Sequence, residues 1–240
     1  MSVATLAWPD WQRFWDEAGI AEHAMLAWRG VEAQHVVSTM RLVDTAAEQD
    51  LLERLLEASK PALPATSQAK HYLLLTPFRY RPAHASRFRP AHARGQWYGA
   101  ESVVAACAEV GYWRRRFILD SAGLQDQELL TEHSFFQGAI AGRALDLMQP
   151  PWNQARSQWT HGDDYSATHR VAAAAQQRGA QWLAYESARE PGACCAVVFD
   201  PDCLEEPSGG LDKTLQTWHC KATRHSVMFT RRSERYQWTY

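Results

Sequence analysis

Gln96 to Phe117 reads QWYGAESVVAACAEVGYWRRRF, and a change of period inside this stretch decides the fold. Gln96 to Ala100 predicts a short strand that carries Tyr98 inward. From Ser102 to Phe117 the spacing becomes helical, with Ser102 as N-cap ahead of an apolar stripe of Val103, Ala106, Val110 and Trp113. Downstream, Thr168 to Gln177 predicts a second helix stopped by Gly179. Trp182–Tyr185, Cys194–Phe199, Trp218–Ala222 and Ser226–Thr230 alternate as strands do. Helices and short strands interleave without a βαβ rhythm, so the predicted class is α+β, a mixed sheet of short strands with flanking helices.

Working upstream, His71 to Leu75 reads as a short buried strand. Pro61 to Lys70 reads as a surface connector. Ala46 to Ala58 (AAEQDLLERLLEA) sets Leu51, Leu52, Leu55 and Leu56 at helical spacing beneath a charged face, and Lys60-Pro61 and Pro64 end that helix. Trp11 to Gly19 suggests a short amphipathic helix, and Glu32 to Met40 reads as helix or strand. The expected organisation is a mainly helical extension over 1–70 and a main domain over 71–240.

Composition narrows the partners. Across 240 residues Lys and Arg total 25 against 27 Asp and Glu, a net charge of −2. That balance argues against bulk attraction to nucleic acid or to a membrane surface. No window approaches 18 uninterrupted apolar residues, so no membrane span is predicted. Five cysteines, an odd number with no Cys-x-x-Cys pair, behind a start (MSVATLAWPDW) with neither a basic nor an apolar leader region, predict reduced thiols in a cytoplasm. No Walker loop and no Gly-x-Gly-x-x-Gly occurs. The histidines lack zinc-ligand spacing and Asp163-Asp164 reads as part of a turn, so no metal is expected.

The positive charge is concentrated in one place. Between Glu57 and Glu101 there is no acid, while Arg79, Arg81, Arg87, Arg89 and Arg94 fall within sixteen residues. Guanidinium forks bind phosphate oxygens in pairs, so this segment predicts a site for a phosphorylated ligand. It also holds a near-duplicate heptapeptide: Arg79-Tyr-Arg-Pro-Ala-His-Ala85 and Arg87-Phe-Arg-Pro-Ala-His-Ala93. Two copies make no solenoid.

Two further residues carry chemistry. Glu109, inside an apolar helical turn, is either a carboxylate paired with one of Arg114 to Arg116 or the charge that stabilises a developing cation. Ser187, in Tyr185-Glu186-Ser187-Ala188-Arg189, sits at a strand end. It lacks the Gly-x-Ser-x-Gly elbow of a hydrolase nucleophile, so it is either a turn former or a hydrogen-bonding partner of a ligand.

The ordered set of arginine, tyrosine, glutamate and serine resembles the RES domain. The matching text is Ser86-Arg87-Phe88-Arg89-Pro90, then Trp97-Tyr98-Gly99-Ala100, then Ala105-Ala106-Cys107-Ala108-Glu109, and finally Tyr185-Glu186-Ser187-Ala188-Arg189 with Ala196-Val197-Val198-Phe199 behind it. It covers about 73–204. The resemblance implies a fold related to the ADP-ribosylating toxins and a role as the toxin of a bacterial toxin–antitoxin pair, held inactive by a cognate antitoxin. The implied chemistry is cleavage of the bond between nicotinamide and ribose in NAD. Phosphate is the acceptor in a phosphorylase, water in a glycohydrolase, and a protein in an ADP-ribosyltransferase.

Under that resemblance NAD is a substrate, inorganic phosphate a co-substrate, and no cofactor is held. Arg87, Tyr98, Glu109 and Ser187 become the catalytic set. Glu109 would stabilise an oxocarbenium-like ribose, Tyr98 would stack against nicotinamide, Arg87 would grip phosphate and Ser187 would orient the ligand. The neighbours of Arg87 depart from the commonest family text, so Arg79 and Arg89 are expected to share the phosphate. Glu186 stands where proline is common and is expected to put a negative charge near the pocket. A homo-oligomer is compatible with the sequence. A reading from another class keeps the arginine segment as a non-catalytic RNA-binding surface, with Tyr80, Phe88 and Trp97 as stacking platforms.

Overall fold

The computed structural model describes residues 8–33, 39–40, 42–64 and 69–240. Residues 1–7, positions 34–38 of the ambiguous Glu32–Met40 stretch, position 41 and positions 65–68 of the connector lie outside them. In chain order the elements are α1 (Trp8–Glu17), β1 (Ala21–Glu32), α2 (Ala46–Ser59), α3 (Tyr72–Arg79), β2 (Trp97–Ala100), α4 (Val103–Leu119), β3 (Leu129–Asp146), α5 (Arg156–Trp159), α6 (Ser166–Gln177), β4 (Trp182–Glu186), β5 (Cys194–Val198), β6 (Leu204–Glu205), β7 (Gln216–Ala222), β8 (Ser226–Arg231) and β9 (Glu234–Thr239). The class is α+β, as the interleaved periods predict.

The sheet runs β1-β2-β5-β4-β3-β7-β8-β9, with β6 on β3. All its pairings are antiparallel except β3 with β4. Because β1 also pairs with β3, the strands β1, β2, β5, β4 and β3 close on themselves. The long β3 takes part in both arms, pairing β7 through Leu129–Phe135 and β4 through Ala144–Asp146. One core cluster includes Phe88, Phe135, Trp152, Trp159, Tyr185 and Phe229, all buried. A second gathers Leu74, Phe78, Trp97, Phe136, Ile140 and Trp182.

Local chemistry explains the elements that hold the site. Ser102 Oγ accepts the Ala105 N–H at 3.2 Å and starts α4, as an N-cap does. The helix packs against β1, β2, β7, β8 and β9. Helix α6 ends where Gly179 takes φ +84° and the Ala180 N–H reaches back to the Ala175 carbonyl at 2.9 Å, a Schellman closure that a Cβ would disfavour.

Two expectations are corrected, while the helix predicted over Ala46–Ala58 forms. His71–Leu75 does not form a strand: Tyr72–Arg79 is helical, capped by His71 Nδ1 accepting from the Leu73 N–H. Leu74, Leu75 and Phe78 are its buried face, a helical spacing that a five-residue apolar window cannot separate from a strand. The segment over 1–70 is not only helical, since β1 pairs β3 over its whole length from Ala21↔Ala144 to Glu32↔His133 and so belongs to the sheet. Helix α2 forms with a Thr45/Glu48 capping box, yet buries none of its residues, and Leu51 and Leu55 stay exposed. No helix among the described residues is long and apolar enough to cross a membrane.

Candidate active site

The principal cavity, about 440 Å³, lies between β1, β2, α4 and the loop before β2, with Tyr165, Tyr185 and Arg189 completing its wall. That volume falls in the range of about 300–1,000 Å³ usual for small-molecule sites. Four arginines line it, Arg29, Arg87, Arg114 and Arg189, against two carboxylates, Glu32 and Glu109. The excess of positive charge suits an anionic ligand.

Arg87 reaches the cavity on a tight turn. Ser86 and Arg89 exchange both backbone hydrogen bonds, at 2.9 and 3.1 Å, and leave Arg87-Phe88 at the corner. Helix α6 clamps that corner, with Thr168 Oγ1 donating to the Arg87 carbonyl and His169 Nε2 paired with the Ser86 carbonyl at 2.8 Å. Arg87 is 6% exposed, and its Nη1 donates to the carbonyls of Trp159 (2.9 Å) and His161 (2.8 Å). Its Nε and Nη2 have no hydrogen-bond partner among the described residues, and its Cζ lies 5.2 Å from the centroid of the Tyr165 ring. A guanidinium fixed along one side keeps further N–H donors for a partner with the geometry of an oxyanion.

Tyr98 faces the same cavity with its hydroxyl already engaged. It donates to Gln96 Oε1 at 3.0 Å, accepts from the Phe88 N–H at 3.2 Å and pairs with Ser86 Oγ at 2.9 Å. Burial pushes its pKa up to about 12, so the phenol keeps its proton near neutrality and is no general base. Its ring lines the site while its hydroxyl steadies the turn that presents Arg87.

Glu109 lies on α4 with Oε1 accepting from Ser187 Oγ at 2.6 Å. Ser187 itself is 1% exposed and does not line the cavity. Its oxygen also accepts the Arg189 and Glu190 N–H groups, at 3.1 and 3.0 Å. A hydroxyl has one proton to give, so with its lone pairs occupied Ser187 must donate to Glu109, which fixes that group as a hydrogen-bond acceptor. The serine expected on the ligand therefore stands behind Glu109 and positions it. None of Arg114 to Arg116 takes up Glu109: Arg114 pairs with Glu32, Arg115 donates to the Arg224 carbonyl and Arg116 pairs with Asp120.

The other expected phosphate ligands are elsewhere. Arg79 donates to the Pro61 carbonyl at 2.6 Å and pairs with Glu57 at 3.2 Å. Arg89 is buried inside its own loop, donating to the carbonyls of Pro82, Pro90 and His84 at 3.2, 2.9 and 2.6 Å. Neither lines the cavity. Glu186 is likewise committed, to Arg156 and to the Gly192 N–H at 2.7 Å. The RNA surface loses two of its platforms, because Phe88 and Trp97 are core residues.

Sequence reasoning missed Arg29, His133, Tyr165 and Arg189. Arg29 donates to the Tyr98 carbonyl at 2.9 Å, lies 5.7 Å from the Trp97 ring, and keeps an enclosed Nε with no partner among the described residues. Burial lowers its pKa to about 10, which leaves it charged at neutrality. The available signal was an arginine inside the strand-like run Ala24-Met-Leu-Ala-Trp-Arg-Gly-Val31, because a cation among apolar residues must face water or a partner.

These features define an α+β protein with an arginine-rich cavity, lined by both a hydrogen-bonded carboxylate, Glu109, and the guanidinium of Arg87. A protein-family profile described as RES domain matches residues 63–221, and the chain belongs to the RES domain family. No curated protein matches the sequence. Among solved structures, the fold is similar to a chain of the M. tuberculosis MbcT–MbcA toxin–antitoxin complex, at 18% identity and a TM-score of 0.48 over 89% of this chain and 91% of that one.

Proposed function

We propose that this cavity takes NAD and that the chain breaks its nicotinamide–ribose bond, as the toxin half of a pair neutralised by a cognate antitoxin. What supports the reading is the convergence on one cavity of Glu109, held by Ser187, with the open edge of Arg87. Heterolysis sends the C1′–N electron pair to the nicotinamide ring and neutralises its pyridinium charge. The positive charge left on the ribose is shared between C1′ and the ring oxygen, where a nearby carboxylate is most favourable. Arg87 and Arg29 hold the pyrophosphate. Attack by a phosphate oxygen gives ADP-ribose 1″-phosphate, and attack by water gives ADP-ribose and a proton.

Purified, antitoxin-free protein incubated with NAD and phosphate is expected to release nicotinamide, measured by chromatography. Glu109→Gln is expected to lower the rate by about 10²–10³-fold, the size of one lost transition-state contact. NAD left intact by folded wild-type protein overturns the reading. The same reaction with labelled NAD separates phosphorylase, glycohydrolase and ADP-ribosyltransferase by where the label ends: on ADP-ribose phosphate, on free ADP-ribose or on protein.

A further inference from the structure

The cavity does not stop at Glu109. Along α4 the lining residues Glu109, Trp113 and Phe117 recur at intervals of four, which stacks them on one helical face. At about 1.5 Å per residue, Phe117 lies about 12 Å beyond Glu109. Trp113 is 43% exposed and Phe117 51%, so two large aromatic side chains line an open cavity end without a core to fill.

The opposite wall there is polar and incomplete. Glu32 and His133 are direct partners across β1 and β3, so their side chains share a face of the sheet. Glu32 is engaged by Arg114. His133 is 1% exposed and pairs with Thr131 Oγ1 through Nε2 at 3.0 Å. Its Nδ1 is enclosed and has no partner among the described residues. A buried polar atom left unpaired is unfavourable, and a ligand atom at this position would remove that cost.

We propose that this far end is a subsite for a planar nitrogen heterocycle, a purine base, stacked on Trp113 and Phe117 with one polar edge at His133. The assignment of that base as the adenine of NAD rests on the proposed function, whereas the subsite itself is testable without turnover. Aromatic rings are sequence-tolerant platforms for bases. An apolar ligand tail would gain the same rings and leave His133 Nδ1 unpaired.

The test compares AMP with ribose 5-phosphate, which carries the same phosphate and no base, by calorimetry on the full chain. AMP is expected to bind about tenfold or more tightly, the lower end of one stacked base. Trp113→Ala and Phe117→Ala should each shrink that advantage and Trp113→Phe should keep most of it. Both positions are half-exposed, so these variants are expected to fold, which circular dichroism checks. Equal binding of the two ligands, or an advantage that survives both alanine variants, overturns the subsite. A kinetic arm sets NAD against nicotinamide mononucleotide. Wild type should prefer NAD, and Trp113→Ala should reduce the preference about tenfold. No nicotinamide from NAD, with AMP binding intact, sinks the NAD reading and leaves the purine subsite supported. Equal use of NAD and the mononucleotide sinks the subsite and leaves the NAD reading standing.

Discussion

Two nearly identical heptapeptides, Arg79-Tyr-Arg-Pro-Ala-His-Ala85 and Arg87-Phe-Arg-Pro-Ala-His-Ala93, end in opposite circumstances. In the first, Arg79 closes α3, Arg81 and His84 are exposed, and Tyr80 is largely at the surface. In the second, Arg87, Phe88 and Arg89 are all buried. The backbone ties them back to back: the Gly95 N–H meets the Tyr80 carbonyl at 2.8 Å and the His92 N–H meets the Pro82 carbonyl at 2.9 Å. At Gly95 a Cβ would sit 1.9 Å from the Pro77 carbonyl oxygen, so only glycine permits that closure. The first copy forms the outer strand of a loop, and the second fills it. Residue type supplies a guanidinium, and burial decides whether it lines the cavity, holds the chain or meets water.

The strongest way to break this contrast is to exchange the roles of the two leading arginines. Arg87→Ala should cut nicotinamide release by about 10²–10³-fold, whereas Arg79→Ala, which removes a surface ion pair, should stay within about twofold. Equal losses would mean that the first copy also serves the ligand. Next come the third residues of the copies. Arg89→Ala leaves three carbonyls without their common donor and should destabilise the protein by about 3 kcal/mol in urea titrations. Arg81→Ala, at an exposed position, should fall within about 0.5 kcal/mol.

The same rule extends to histidine, with a smaller effect. His84 and His92 of the copies are exposed, while burial, helped by Arg114, pushes the pKa of His133 down to about 4. An unfolded chain therefore binds more protons than the native one between about pH 4 and 6.5, and stability should rise with pH through that window. The contribution is on the order of 2–3 kcal/mol. Unfolding midpoints measured from pH 4 to 7 should show that rise, and His133→Gln should flatten it. A slope unchanged in the variant would place its origin in another group.

The elements that were legible in sequence are those whose signals are local. Helix α4 announces itself through Ser102 and a helical apolar stripe, and β4, β5, β7 and β8 through short β-branched or aromatic runs. Strand β3 does not, because its Gln137-Gly-Ala-Ile-Ala-Gly-Arg-Ala144 stretch has low strand propensity and is held extended by neighbours on both sides. Strand β1 has a strand-like run around Arg29, but the partner that holds it, β3, lies more than a hundred residues along the chain. The site divides likewise. Arg87, Tyr98 and Glu109 could be read from spacing and family resemblance. Arg29 offered only the signal of a cation in an apolar run and His133 none, because register across β1 and β3 brings them to the cavity. The relation of Ser187 to Glu109 depends on how many donors converge on one oxygen, which no spacing encodes.

The closure of β1 onto β3 also sets an order of events. Ala21 finds Ala144 only after more than a hundred intervening residues have been made, and the cavity wall is complete only when Arg189 arrives. Contacts of such separation form slowly and late. On a ribosome β1 must wait for β3 to emerge before the two can pair, so the cavity wall closes only after the residues up to Arg189 have been made. A partner that recognises the assembled cavity has nothing to grasp before then.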